Sequence, residues 1–270
     1  EYPAMESDKI LKTENTRYTV FSLWDTYRNL HQLMTLVWPD RQLDMVRSMI
    51  DMYKEWGWMP KWELYGRETW TMEGDPSIPV ITDTWLKGLC DFDIETAYEG
   101  FYKSATMPGI TYTTDTVRRG GALPDSYYAS LKGDFNRMRP DNNDYMKLGY
   151  VPLRSEFDNS VSHALEYYVS QLADALGKKE DAQLFKKRSL GYKNYYSPEY
   201  GTFRPRLPNG EFLTPFNPQL GMDFEDNPGF HEGSAWNYTF FVPHDVLGLA
   251  KLMGGKRKFI DKLEMVFDKG

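Results

Sequence analysis

Ser22-Leu23-Trp24-Asp25-Thr26-Tyr27-Arg28-Asn29-Leu30-His31-Gln32-Leu33-Met34-Thr35-Leu36-Val37-Trp38-Pro39-Asp40-Arg41-Gln42-Leu43-Asp44-Met45-Val46-Arg47-Ser48-Met49-Ile50 has the pattern of two helices with one interruption. Trp38-Pro39-Asp40 stops a helix over Ser22 to Val37 and caps the next, Arg41 to Glu55, where Leu43, Met45, Val46, Met49, Ile50 and Tyr53 recur at helical spacing. The pair reads as a helical hairpin. The same test predicts Ile78 to Leu89 with Ile94 to Ser104, turned at Asp91-Phe92-Asp93, and Asn159 to Leu176 with Glu180 to Tyr196, turned at Gly177-Lys178-Lys179. A last pair is Ser234 to Met253 with Arg257 to Phe267, turned at Gly254-Gly255. Successive hairpins of ~30 to 50 residues need neighbours to bury their apolar faces, which predicts a mostly all-α chain forming an incomplete α/α toroid.

Between the hairpins lie Gly57 to Pro76, Met107 to Pro152 and Ser197 to Gly233, aromatic connections too long for a plain bundle. Long loops on one side of successive hairpins would build a site on one face. Strand signal is weak, except that Tyr200 to Phe212 reads as a small hairpin whose Asn209-Gly210 favours a type I′ turn.

The 270 residues are 41% hydrophobic, enough for a sizeable core. A net charge of -7, with no basic run interleaved with aromatics, argues against nucleic acid or an anionic membrane as partner. Neutral ligands fit better: with 8 Trp and 19 Tyr the chain is rich in rings that present an apolar face and a polar edge, as a sugar cleft requires. For any single ring, core packing remains the ordinary explanation. Cys90 is the sole cysteine, so no intrachain disulfide forms and the thiol is expected to be a small buried hydrophobe. His31, His163, His231 and His244 show no i, i+4 metal spacing. No apolar run is long enough to span a membrane, and the opening Glu1-Tyr2-Pro3-Ala4 reads as a cut end.

Gly229-Phe230-His231-Glu232-Gly233-Ser234-Ala235-Trp236-Asn237-Tyr238 sets one acid among aromatic rings. Phe230 and Trp236 can exclude water from Glu232, and desolvation raises a carboxyl pKa toward the range in which it donates a proton to a leaving oxygen. Alternatively, Glu232 only occupies the first turn of a helix, where the macrodipole favours an acid. Asp25 beside Trp24 is either an N-cap or a sugar ligand, and Arg28 either pairs with it along the helix or orients it. Glu68 and Glu73, with Trp62, Tyr65 and Trp70, form either a sugar-lining loop or a packed surface loop. Glu156 and Asp158 precede a helix that Asp158 or Asn159 caps. His244-Asp245, after Pro243, is expected to be structural at a helix kink.

Many separate segments, in order, carry a family resemblance: Phe21-Ser22-Leu23-Trp24-Asp25-Thr26-Tyr27-Arg28, Leu43 to Met49, Met59-Pro60-Lys61-Trp62, Glu68 to Pro76, Pro79-Val80-Ile81, Ser160-Val161-Ser162 with Leu165-Glu166-Tyr167, and the Glu232 segment with Val242-Pro243-His244-Asp245. Through them the chain resembles the catalytic domain of glycoside hydrolase family 92, the calcium-dependent inverting exo-α-mannosidases, over nearly its whole length. The resemblance implies an (α/α)6 barrel with Glu232 as general acid and Asp25, beside Trp24, bonded to hydroxyls of a terminal mannose. Arg28, Glu68, His231 and Trp236 complete the candidate substrate-binding residues. Calcium is the implied cofactor, with no ligands assigned, a mannose-containing glycan the implied partner, and an extracellular or periplasmic location the implied address. Ser234 stands where the family commonly has asparagine and Asn237 where it has glutamine, which puts the surroundings of the acid and the linkage preference in question.

The family's downstream Asn-Glu-Pro and Gly-Asn-Asp/Glu-Asp-Cys-Gly-Gln motifs and its N-terminal β-sandwich domain have no counterpart in this sequence. Residues 1–270 are therefore expected to be part of one α/α-barrel catalytic domain, with the general base outside it and little activity or stability alone. The alternatives are another α/α-barrel glycosidase or lyase, and a non-catalytic carbohydrate-binding toroid.

Overall fold

Pro39 opens the longest described helix. Its fixed φ and missing N–H suit a first helical position, and the residue before it, Trp38, closes one helix and starts the next. Helix α2 (Leu30–Val37) thus meets α3 (Pro39–Trp56) across one residue; the predicted break lies here, but Pro39 and Asp40 belong to the second helix and do not precede it. Gly57, at φ 89°, ends α3 in the left-handed conformation that glycine adopts without strain, its N–H bonded to the Tyr53 carbonyl at 2.7 Å. The computed structural model describes residues 1–69, 72, 74–107, 142–153, 171–220, 229–230 and 233–269, with 110–111, 137–138 and 166–170 described by backbone alone. These residues are mostly helical, and the chain divides into two units, residues 1–142 with 168–185 and residues 143–167 with 186–270.

In the first unit the predicted single helix from Ser22 to Val37 is broken. A short helix α1 (Leu23–Thr26) follows strand β1 (Phe21–Ser22) and stops at Tyr27. The carbonyls that a continued helix would pair with backbone N–H groups are taken by side chains: Arg28 Nε donates to Trp24 O and Gln32 Nε2 to Tyr27 O. The buried face of α3 carries Val46, Met49, Ile50, Met52 and Tyr53, while the predicted Leu43 and Met45 are only half buried. Helices α4 (Ser77–Leu86) and α5 (Ile94–Thr106) form the next pair, with the Asp93 side chain capping α5 through the Thr96 N–H at 3.1 Å. Phe101 and Phe185 are wholly buried; each burial contributes roughly 1.5–3 kcal/mol.

The predicted Gly57–Pro76 loop instead contains a hairpin of strands β2 (Trp62–Leu64) and β3 (Arg67–Glu68), and β1 extends it to three strands. Phe21 lies opposite Glu63 and Ser22 opposite Trp62, while Leu64 lies opposite Arg67. The two linking residues, Tyr65 at φ 51° and Gly66 at φ 81°, make the type I′ turn that matches strand twist. The N-terminal segment is fastened to α3 by Glu55, which accepts from the Tyr2 hydroxyl, the Met5 N–H and Arg17 Nη2. Cys90 is exposed, contrary to expectation: it sits in the short connection between α4 and α5, where no packed layer covers it.

In the second unit the predicted helix from Ser234 to Met253 is two, Ala235–Thr239 and Val246–Leu252. Pro243 lies in the gap, and Asp245 caps the second helix through the Gly248 N–H at 3.0 Å. The last helix, Lys256–Lys269, follows the predicted Gly254-Gly255 turn. Of the predicted Tyr200–Phe212 hairpin the structure shows the Arg206–Phe212 bridge, and an unpredicted hairpin, Tyr196–Ser197 paired with Thr202–Phe203, precedes it. The tip of the Arg206–Phe212 hairpin is not type I′. Leu207 O accepts from Gly210 N–H and Leu207 N–H donates to Glu211 O, so Pro208 and Asn209 are the central residues and only Gly210 takes positive φ, 87°. Proline cannot take the positive φ that a type I′ turn requires at its first central position.

Candidate active site

The first unit places Trp24, Asp25 and Arg28 on one short turn. Asp25 is not the N-cap: Ser22 holds that position, and its hydroxyl donates to Asp25 Oδ2 instead of capping the backbone. Asp25 therefore stands exposed with one oxygen oriented from behind, while Trp24 beside it is buried. The Arg28 guanidinium lies over both Trp24 and Tyr27, 4.8 Å and 5.1 Å from the ring centroids, a cation–π arrangement that supports the rings under the turn.

Behind this turn two carboxylates organise backbone. Glu68 accepts from the N–H groups of Lys61 at 2.8 Å and Trp62 at 2.9 Å. Its buried position gives no support to the expected substrate contact, since each oxygen already engages the chain. Glu63, wholly buried, accepts from the Thr19 hydroxyl, the Val20 N–H and the Gly66 N–H. It holds Val20 at φ 64°, a conformation a β-branched residue adopts only under constraint. Neither Glu63 nor Gln42, which is buried on α3 and bonded to His31 and Thr84, was anticipated from the sequence. A signal for Gln42 was present, because it lies four residues before Val46 and seven before Met49 on the face of α3 that packs inward.

In the second unit Glu232 and His231, the expected acid and its neighbour, lie outside the described residues, as do Trp70, Glu73, Glu156, Asp158, Asn159 and His163. The helix that follows them begins at Ala235, and its first turn contains no acid. Ser234 Oγ accepts from the Trp236 N–H at 3.2 Å, and Asn237 Oδ1 accepts from both the N–H and the hydroxyl of Ser234. Ser234 and Asn237 thus form one reciprocal cap. A Cβ on Gly233 would come within 3.1 Å of the Tyr238 ring, so a larger residue there would displace the ring by a few tenths of an ångström. Phe230 packs against Tyr238 with centroids 5.4 Å apart, and Trp236 is buried with no hydrogen-bond partner for Nε1 among the described residues. Thr239 ties this helix to the nearby hairpin by accepting from the Phe203 N–H at 2.8 Å. His244 and Asp245 are structural, as expected: His244 Nε2 bonds Ser189 O at 2.9 Å, and Asp245 accepts from the Tyr192 hydroxyl at 2.8 Å. Burial, reinforced by Asp245, pushes the Tyr192 phenol above its ordinary pKa.

Residues 1–270 match, end to end, the sequence profile of the glycosyl hydrolase family 92 catalytic domain. The chain belongs to glycosyl hydrolase family 92. An uncharacterized secreted glycosidase of Arthroderma benhamiae is 25% identical over 266 residues, covering 86% of this chain and 31% of its own length. Among solved structures, a family 92 inverting mannosidase of Bacteroides thetaiotaomicron superposes with a TM-score of 0.77 at 27% identity, covering 93% of this chain and 31% of that one. A family 92 α-mannosidase of the same organism gives 0.75 at 32% identity, covering 97% and 32%. The chain thus spans about a third of the length of each of these proteins.

Calcium takes six to eight oxygen ligands. Among the described residues no group of three or more His, Cys, Asp or Glu side chains is placed to hold a metal ion. No described helix is long and apolar enough to cross a membrane.

Proposed function

We propose that the enzyme carrying this chain removes terminal α-linked mannose from glycans, acting from the chain end and inverting the anomeric centre. Family membership supports the glycosidase class, and one of the similar structures is a complex with mannoimidazole. The observation that carries the substrate half is Asp25: an exposed carboxylate, oriented by Ser22 and backed by a buried tryptophan, is an acceptor for the hydroxyls of a sugar ring.

In this reading Glu232 protonates the glycosidic oxygen, and Trp236 and His231 flank the sugar beside it. Inversion needs a second carboxylate ~6.5–9.5 Å away to activate water, and that base belongs to the part of the family 92 fold beyond these residues. Calcium is likewise a requirement of the assembled enzyme, with ligands outside the described residues. The helical pairs are then part of an (α/α)6 barrel, and the enzyme works in the extracellular or periplasmic space, in keeping with the secreted relative.

Glu232→Gln in the full-length enzyme tests the assignment. The amide keeps the shape but donates no proton, so aryl α-mannosides with good leaving groups should retain far more activity than glycan substrates, and chelation should abolish turnover on both. Equal losses on activated and unactivated substrates would remove Glu232 from the acid role.

A further inference from the structure

We infer that His31 is a positioning residue for the Trp24–Asp25 turn, acting through the Thr26 hydroxyl; this rests on the proposed sugar-binding role of Asp25. The ring of His31 is buried, with both nitrogens engaged: Nδ1 is 3.0 Å from Gln42 Oε1 and Nε2 is 3.1 Å from Thr26 Oγ1.

The far end of this chain of bonds fixes its direction. The Thr84 hydroxyl donates to the Val80 carbonyl at 2.7 Å, so its oxygen accepts from Gln42 Nε2 at 3.0 Å. Gln42 then presents its carbonyl oxygen to His31, which places the ring proton on Nδ1 and leaves Nε2 as an acceptor for Thr26. Burial holds the imidazole pKa below its ordinary value, opposed only by the Gln42 bond, so the ring is neutral near neutral pH.

Thr26 Oγ1 also lies 3.1 Å from the carbonyl of Ser22, the residue whose hydroxyl orients Asp25. One hydroxyl proton serves one of these acceptors at a time, so the hold of His31 on Thr26 sets how the start of α1 is bonded. A helix of four residues cannot fix its own geometry. Here α2 supplies the brace, and α3 and α4 anchor it through Gln42 and Thr84.

Two variants of the full-length enzyme separate this role from simple core packing. His31→Asn keeps a donor near the Nδ1 position but cannot reach Thr26, and Thr26→Val removes the hydroxyl while leaving the bonds among His31, Gln42 and Thr84 intact. Each should lower kcat/KM on an aryl α-mannoside by roughly three- to tenfold. Each should also speed amide exchange selectively in residues 23–29, and neither should reduce kcat/KM further in an Asp25→Ala background. Losses that add to that of Asp25→Ala, or unchanged exchange in 23–29, would overturn the inference. If the wild-type enzyme proves inert on α-mannosides the proposed activity falls instead, and exchange in residues 23–29 alone decides whether His31 braces the turn.

Discussion

Asp25→Ala should separate folding from function by a wide margin. The change removes one hydrogen bond, from the Ser22 hydroxyl, at an exposed position. That bond is worth about 0.5–1.5 kcal/mol. An acid in a helical first turn adds about 0.3–1 kcal/mol. The total, about 1–2.5 kcal/mol, lowers the melting temperature by a few degrees in a domain of this size. In the proposed complex the same carboxylate accepts from sugar hydroxyls, and each bond to a charged acceptor contributes about 1.5–3 kcal/mol. Two such bonds correspond to a loss of roughly 10²–10⁴ in kcat/KM. The assay is aryl α-mannoside hydrolysis by the full-length enzyme, normalised to folded protein, with thermal unfolding of the same samples. A collapse in melting temperature with kcat/KM per folded molecule nearly unchanged would make Asp25 a structural residue and refute the sugar role.

Glu63→Gln should destabilise by about 2–4 kcal/mol in urea unfolding, because three donors converge on the carboxylate and the amide sets an N–H against one of them; a change under about 0.5 kcal/mol would show that these bonds hold nothing. Tyr65→Asn should raise stability by about 0.5–1 kcal/mol, since asparagine adopts the left-handed conformation of a type I′ turn more readily than tyrosine does. His31 and His244 are both held below their ordinary pKa chiefly by burial. The unfolded chain therefore takes up protons near pH 6.5 before the folded one does, so stability is full above that pH and falls as pH drops toward the folded values. Each histidine accounts for at most about 1.4 kcal/mol per pH unit in that window. His244→Gln should flatten the fall between pH 7.5 and 5.5, as read from urea midpoints; an unchanged slope would show that His244 does not contribute.

The helical pairs were legible because proline and glycine punctuate them and apolar residues recur at helical spacing between. The break after Thr26 was not, because side chains from Arg28 and Gln32 cause it and a periodicity test does not see them. Similarly, the Trp62–Glu68 hairpin hides behind Tyr65-Gly66, a pair with weaker turn propensity than asparagine-glycine, and tertiary bonds from Thr19 and Val20 to Glu63 stabilise it. At Asn209-Gly210 the propensity was real, but Pro208 moved the turn back by one residue. Asp25 was chosen through family resemblance, since its sequence context fits an N-cap equally well; only the geometry of Ser22 separates the two. Ser234 and Asn237 looked like two independent departures from the family, yet they bond to each other and form a single change.

Trp38 is the whole connection between α2 and α3, with its N–H bonded back to Met34 O and its φ and ψ at −138° and 65°. A joint of one residue has no slack. An inserted residue, accommodated by helical winding, would rotate α3 by about 100° and move each residue into the place of the next, setting Arg41 where Gln42 packs and Arg47 where Ser48 packs. The joint therefore works as an angular index for the first unit, phasing the Gln42 face of α3 against the turn that presents Asp25. The longer loops can absorb added chain without disturbing that phase.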